Sequence, residues 1–205
     1  MTVRQVIELA KSSEANGLPA ATKDASILGY INLGLLELYK RFTLRVEEWI
    51  VVLEDDVSYY TAPDGFMWIV AAYGEVSMDS VEEVNVLPVN EEDNPLSINT
   101  VGWNKIQVPL SVTGAYVSII YAATPDKWYT EADMDATINM PPQMIDALLA
   151  YIGWKANSSI SAEGQGEGSV WYQRFEASCN NVLVKGFTNN NDMFMNHRIS
   201  MRGFV

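Results

Sequence analysis

Residues 24–53 read DASILGYINLGLLELYKRFTLRVEEWIVVL, and the period of the apolar positions changes within them. Ile27, Tyr30, Ile31, Leu35, Leu38 and Phe42 recur at intervals of three and four, the stripe of an amphipathic helix. Asp24 stands where an N-cap belongs, and Lys40 and Arg41 bring the positive charge that a helix C-terminus favours. From Val46 the period is two: Trp49, Val51 and Leu53 alternate, as in a half-buried strand. A helix that hands over directly to strands points to the α+β class.

Upstream, Thr2 and Gln5 have the spacing of a capping box, and Val3, Val6, Ile7 and Leu9 or Ala10 supply a helical face. Gly17 and Pro19 stop that helix. Downstream, the Asp55-Asp56 pair interrupts the alternation and Pro63-Asp64-Gly65 reads as a turn, with Gly permitting a positive φ. The apolar run 66–73 fits a buried strand, and further strands are expected at 81–86, around Asn104, Ile106 and Val108, and at 116–121. Together these form a small antiparallel sheet or sandwich. Pro141 and Pro142 suit the first turn of a helix. Ile145, Leu148, Leu149, Ile152, Ala156 and Ile160 continue that helix. A glycine-rich loop at Gly164, Gly166 and Gly168 leads to a last helix with Trp171, Phe175, Ser178 or Cys179, and Val182 on one face. The expected architecture is a four-helix bundle-like core, from helices in 1–45 and a helical hairpin in 125–186. Into it is inserted an antiparallel β subdomain at 46–124, and an extended C-terminal tail occupies 187–205.

Composition removes several functions. No run of about eighteen apolar residues occurs, so no membrane span is expected. The first ten residues are amphipathic and carry Arg4 and Glu8, unlike a secretory leader, which places the protein in a cytosol-like compartment. The single Cys179 reads as a small buried apolar group, and the single His197 has no partner at zinc or triad spacing. No metal, cofactor or catalytic residue is therefore expected. A net charge of −13 opposes adhesion to phosphate backbones. Gly164, Gly166 and Gly168 lack the preceding strand and basic partner of a phosphate cradle. The acidic groups Glu54-Asp55-Asp56, Glu82-Glu83 and Glu91-Glu92-Asp93 fall at loops or strand ends, the ordinary place for solvated charge, which outweighs a glycosidase pair. Asp133-Met134-Asp135 lacks the glycine and distal glutamate of a calcium loop. Trp49, Trp68, Trp154 and Trp171 fall in periodic apolar segments and read as core or subunit contacts.

Residues 186–205 are different. Phe187, Met193, Phe194, Met195, Ile199, Met201 and Phe204 are apolar without a clean period. Lys185, Arg198 and Arg202 against Asp192 give residues 185–205 a net +2 within an acidic chain. Such a segment does not bury these groups by itself, so it either folds back on the bundle or orders on a partner, and its positive charge, matched by the acidic surface of a neighbouring copy or another protein, favours the partner. Phe187, Met193, Phe194, Met195, Arg198, Ile199, Met201, Arg202 and Phe204 are the candidate binding residues.

Several patterns are shared with a known family. Leu36-Glu37-Leu38-Tyr39-Lys40-Arg41-Phe42, the strand from Trp49 to Leu53, Tyr59-Tyr60 with Pro63-Asp64-Gly65-Phe66, and Leu87-Pro88-Val89-Asn90 lie in the first half. Tyr121-Ala122-Ala123-Thr124-Pro125, Pro141-Pro142-Gln143, Trp171-Tyr172 and Phe175-Glu176-Ala177 lie in the second. Over about residues 25–186 the chain resembles the adaptor proteins, or head-to-tail connectors, of short-tailed bacteriophages. The resemblance implies a non-enzymatic virion subunit that joins the portal ring after genome packaging. It implies a homo-oligomeric ring, a dodecamer, and a surface for tail or nozzle proteins, with no cofactor or metal. The C-terminal segment would run along the portal, and DNA would pass the channel without specific binding. The first helix departs from the family pattern. The rival readings are a neck or tail-tube protein of the same particle and a carbohydrate-binding or glycan-hydrolysing module on the β insertion.

Overall fold

A reciprocal cap starts the first helix, α1 (Val3–Ser12). Gln5 N–H donates to Thr2 Oγ1 at 3.3 Å and Thr2 N–H donates to Gln5 Oε1 at 2.9 Å, the box that the two residues predict. The computed structural model describes residues 1–12, 23–75, 85–112, 114–158 and 165–185. The N–H groups of Val3 and Arg4, which have no acceptor inside the helix, donate to the carbonyls of Ala136 and Met134.

Helix α2 (Asp24–Phe42) buries the predicted stripe of Ile27, Ile31, Leu35, Leu38 and Phe42. Asp24 is not its cap. The Ser26 and Ile27 N–H groups donate to the carbonyl of Lys23, and the Asp24 carboxylate pairs with Lys11. A carboxylate in the first turn still favours the positive end of the helix without capping it. The helix ends at Thr43, whose φ of 47° takes the left-handed role usually filled by glycine.

A 3-10 turn (Pro142–Met144) opens α3 (Ile145–Ser158), the place expected for the two prolines. Helix α4 spans Gln165–Val184. Gly166 and Gly168 thus lie in helix, not in the expected loop. Glycine costs a helix about 1 kcal/mol per residue, and burial of Trp171, Phe175, Cys179 and Val182 further along outweighs it. Helices α1, α2 and α4 each pack against α3, and α1 also meets α2.

The chain divides into two units: Met1–Phe42 with Lys127–Val205, which holds the helices, and Thr43–Asp126, which holds the strands. In chain order the strands are β1 (Val46–Val52), β2 (Tyr59–Thr61), β3 (Phe66–Glu75), β4 (Asn85–Leu87), β5 (Asn99–Gly102), β6 (Lys105–Gln107) and β7 (Tyr116–Ala123). One sheet has the order β1-β7-β3-β4 and the other β2-β6-β5, with every paired neighbour antiparallel. Two register shifts fit the longer β3 to β7. Gly65, at φ 81°, closes the turn that Pro63-Asp64-Gly65 predicts, with Phe66 N–H donating to the Pro63 carbonyl at 3.2 Å. Both sheets contribute to one apolar cluster, with Val51, Ile69, Ile119 and Tyr121 from the first and Ile106 from the second. Most of the expected strand at 81–86 falls outside the described residues. The short strands β2 and β5 were not expected, since three or four residues with exposed side chains carry no apolar alternation.

Candidate interaction surface

The candidate residues Phe187, Met193, Phe194, Met195, Arg198, Ile199, Met201, Arg202 and Phe204 lie outside the described residues. What leads into them is well defined. Helix α4 is seated on α3 by aromatic packing: Phe175 meets Tyr151 edge-on at 5.4 Å, and Trp171 lies against Gly153. A bidentate pair holds it to α2, with Arg41 Nη1 and Nη2 donating to Glu176 at 2.8 and 2.5 Å and the guanidinium over the Phe175 ring. The Arg41 hydrogen bond lowers the Glu176 carboxyl pKa, while burial pushes the Cys179 thiol up to about 11. A thiol so held is an apolar filler, not a nucleophile. At the end of the helix the pattern breaks: Val182 is buried, but Leu183 is 54% and Val184 86% exposed. Beside them Gln143, Asp146, Ser178, Asn181, Val182 and Lys185 line a shallow cavity of about 270 Å³. Two adjacent exposed apolar side chains therefore stand directly before Lys185.

Among the described residues the acidic clusters of the sequence stand on loops or in ion pairs, with Glu54, Asp55 and Asp56 together at one turn. Glu91, Glu92 and Asp93 are exposed on a loop, and Glu82-Glu83 lie outside the described residues. Asp133 accepts from Lys127 and from the hydroxyl and N–H of Thr130, which brings its carboxyl down to about 2; Asp135 is paired with Arg4. Among the described residues no group of three His, Cys, Asp or Glu side chains is placed to hold a metal ion. Charge is instead segregated by unit: Thr43–Asp126 carries fourteen carboxylates against only Arg45 and Lys105. Arg45 is held by Glu47, and Lys105 lies over the Tyr59 ring. That unit is the acidic part of the chain.

Of the tryptophans read as core, Trp171 is buried and Trp49 packs against the β cluster. Two others stand out of it. Trp103, 85% exposed, sits in the two-residue turn between β5 and β6, and Trp128 is 55% exposed. The signal for Trp103 was present in Gly102-Trp103-Asn104, since a residue in a tight hairpin turn points away from the sheet core. Each unit thus has one exposed tryptophan that periodicity did not reveal.

The neck of an empty GTA particle, computed with C6 symmetry, is a solved structure similar to this chain. Identity is 12% over 87% of this chain and 88% of that chain, with a TM-score of 0.32. No curated protein matches. The family model described as SU10 adaptor protein matches residues 1–196, from α1 through both sheets to beyond α4. With a match of that extent the resemblance to phage adaptors seen over residues 25–186 is met, and the chain belongs to the SU10 adaptor protein family.

Proposed function

We propose that this chain is a structural subunit at the head-to-tail junction of a tailed phage, where it docks on the portal ring and presents the surface on which tail proteins build. Its match to an adaptor family over residues 1–196 carries this reading. In this reading the four helices act as a bundle-like core, the β unit is an insertion in it, and residues 187–205 serve as the docking segment. Phe187, Met193, Phe194, Met195, Ile199, Met201 and Phe204, with Arg198 and Arg202, find their partner on the portal or on a neighbouring copy in the ring, following the exposed Leu183 and Val184. In a dodecameric ring, weak single contacts add up through avidity. Acidic β units facing the channel would repel the phosphate backbone, so DNA slides without adhering. Assembly, not catalysis, is the function on this reading.

Electron microscopy of the full chain mixed with purified portal rings tests it. The expected result is added density on the ring, lost when residues 186–205 are deleted from a chain that keeps its helical circular dichroism. Portal rings that stay bare with the full chain would overturn the reading.

A further inference from the structure

Residues 53–57 together with residues 108–110, 112 and 114 border a hollow of about 510 Å³ in the β unit. Its lining is of two kinds: Glu54, Asp55 and Asp56 are acidic and exposed, and beside them stand the exposed Leu110 and the half-buried Val57 and Pro109, while Val108 and Val112 belong to the β core. Leu110 is 65% exposed, unusual for a leucine beside carboxylates.

Hydrogen bonds fix this shape in advance. Val57 N–H donates to the Glu54 carbonyl at 3.2 Å, and the Tyr60 hydroxyl donates to the Val57 carbonyl at 3.1 Å while accepting from Glu54 N–H at 3.2 Å. Opposite, Val112 N–H donates to the Pro109 carbonyl at 3.0 Å, and Ser111 Oγ donates to the Pro95 carbonyl at 2.8 Å. No ion pair engages the three carboxylates among the described residues, and no Lys or Arg lines the cavity. A preformed hollow with an exposed leucine at its rim and an uncompensated acidic edge complements a segment that mixes bulky apolar side chains with cations.

The chain holds a segment of that chemistry. Residues 193–205, MFMNHRISMRGFV, combine Met193, Phe194, Met195, Ile199, Met201 and Phe204 with Arg198 and Arg202 and contain no Asp or Glu. We propose that the cavity between Glu54-Asp55-Asp56 and Leu110 receives residues 193–205 of a second copy of this chain. This rests on the reading that residues 186–205 act on another molecule, and it names the surface they reach. A contact between one patch and a different patch on the next copy is heterologous, and so repeats from subunit to subunit until a ring closes.

The test titrates a fluorescent peptide of residues 193–205 into the full chain. Saturable binding is expected, about tenfold weaker with Glu54→Lys and Asp55→Lys together, and weaker again with Leu110→Ser. Asp56 is left intact because its φ of 63° suits Asp better than Lys. A peptide carrying Arg198→Glu and Arg202→Glu should prefer the charge-reversed chain to the natural one. No saturable binding, binding indifferent to these changes, or equal binding of a peptide with the same residues in scrambled order would each overturn the assignment. The portal-ring experiment separates the two readings. A chain that joins portal rings but ignores the peptide loses the cavity assignment alone, and a chain that takes the peptide but leaves portal rings bare keeps the cavity and loses the particle role.

Discussion

Glycine in a helix is one letter with several environments, and here the environments differ enough to reverse the sign of a substitution. A Cβ on Gly153 would sit 2.7 and 2.8 Å from atoms of the Trp171 ring, which is rigid and held on the buried face of α4. Gly153→Ala should destabilise the helical unit by about 1–3 kcal/mol through overpacking, more than the gain of about 1 kcal/mol in helix propensity. Gly29 has nothing within 4 Å of the same position, so Gly29→Ala should stabilise by up to about 1 kcal/mol. Gly34 lies between them, because its nearest neighbour at 2.7 Å is the movable end of Leu148. Urea unfolding followed by circular dichroism checks the order; a Gly153→Ala protein as stable as the natural one would show that Trp171 has room to shift. None of this was readable in the sequence, since what decides it is the partner helix and not the local pattern.

Between elements, the join of β1 to β7 carries a pH signature. Tyr121 donates to Glu47 Oε2 at 2.7 Å, and Arg45 Nε donates to Oε1 at 3.0 Å. The Tyr121 hydrogen bond, then Arg45, hold the Glu47 carboxyl below its ordinary 4.5, while burial first and Glu47 second push the Tyr121 phenol up to about 12. For Glu47 the lowered value means stabilisation that is full above 4.5 and is lost as pH falls through the folded-state value. For Tyr121 the raised value means stabilisation that is full below 10.0 and is lost as pH rises through about 12. Tyr121→Phe should cost about 1 kcal/mol at neutral pH, discounted for the partial exposure of Glu47. It should also flatten both limbs of a stability profile measured by urea midpoints. An unchanged acid limb would mean that Arg45 alone sets the Glu47 behaviour. At this scale the sequence was largely legible. The stripe of α2, the Thr2–Gln5 box, the prolines before α3, the buried face of α4 and the strands β1, β3 and β7 all follow from period and turn chemistry. The failures have physical causes. Asp24 serves the helix by charge instead of capping, Gly166 and Gly168 were read as breakers where packing overrides propensity, and β2 and β5 are recognisable only through their pairing with β6. The tail residues lie outside the described residues, and the exposure of Trp103 is set by its place in the turn between β5 and β6, which no apolar period marks.

At the scale of the whole chain, the two units differ in kind: one is helical with nearly balanced charge, the other is a pair of sheets with fourteen carboxylates and two cations. The β unit also begins and ends at one place. Val46 pairs with Ala122, Ala123 N–H donates to the Arg45 carbonyl at 2.9 Å, and Arg45 Nη1 donates to the Thr124 carbonyl at 3.1 Å. Its apolar cluster, from Val51 to Ala123, lies wholly inside residues 43–126. Entry and exit strands that are hydrogen-bonded to each other, around a cluster whose described members all lie within the unit, are what an independently folding insertion requires. Residues 43–126 produced alone should therefore unfold cooperatively in urea and give dispersed amide resonances. Their excess charge should keep them soluble at neutral pH and let them associate as the pH drops into the carboxylate range, where self-repulsion is lost. A collapsed or disordered fragment at neutral pH would show that the sheets depend on the helices, and that the acidic arm is not a separable part of the adaptor.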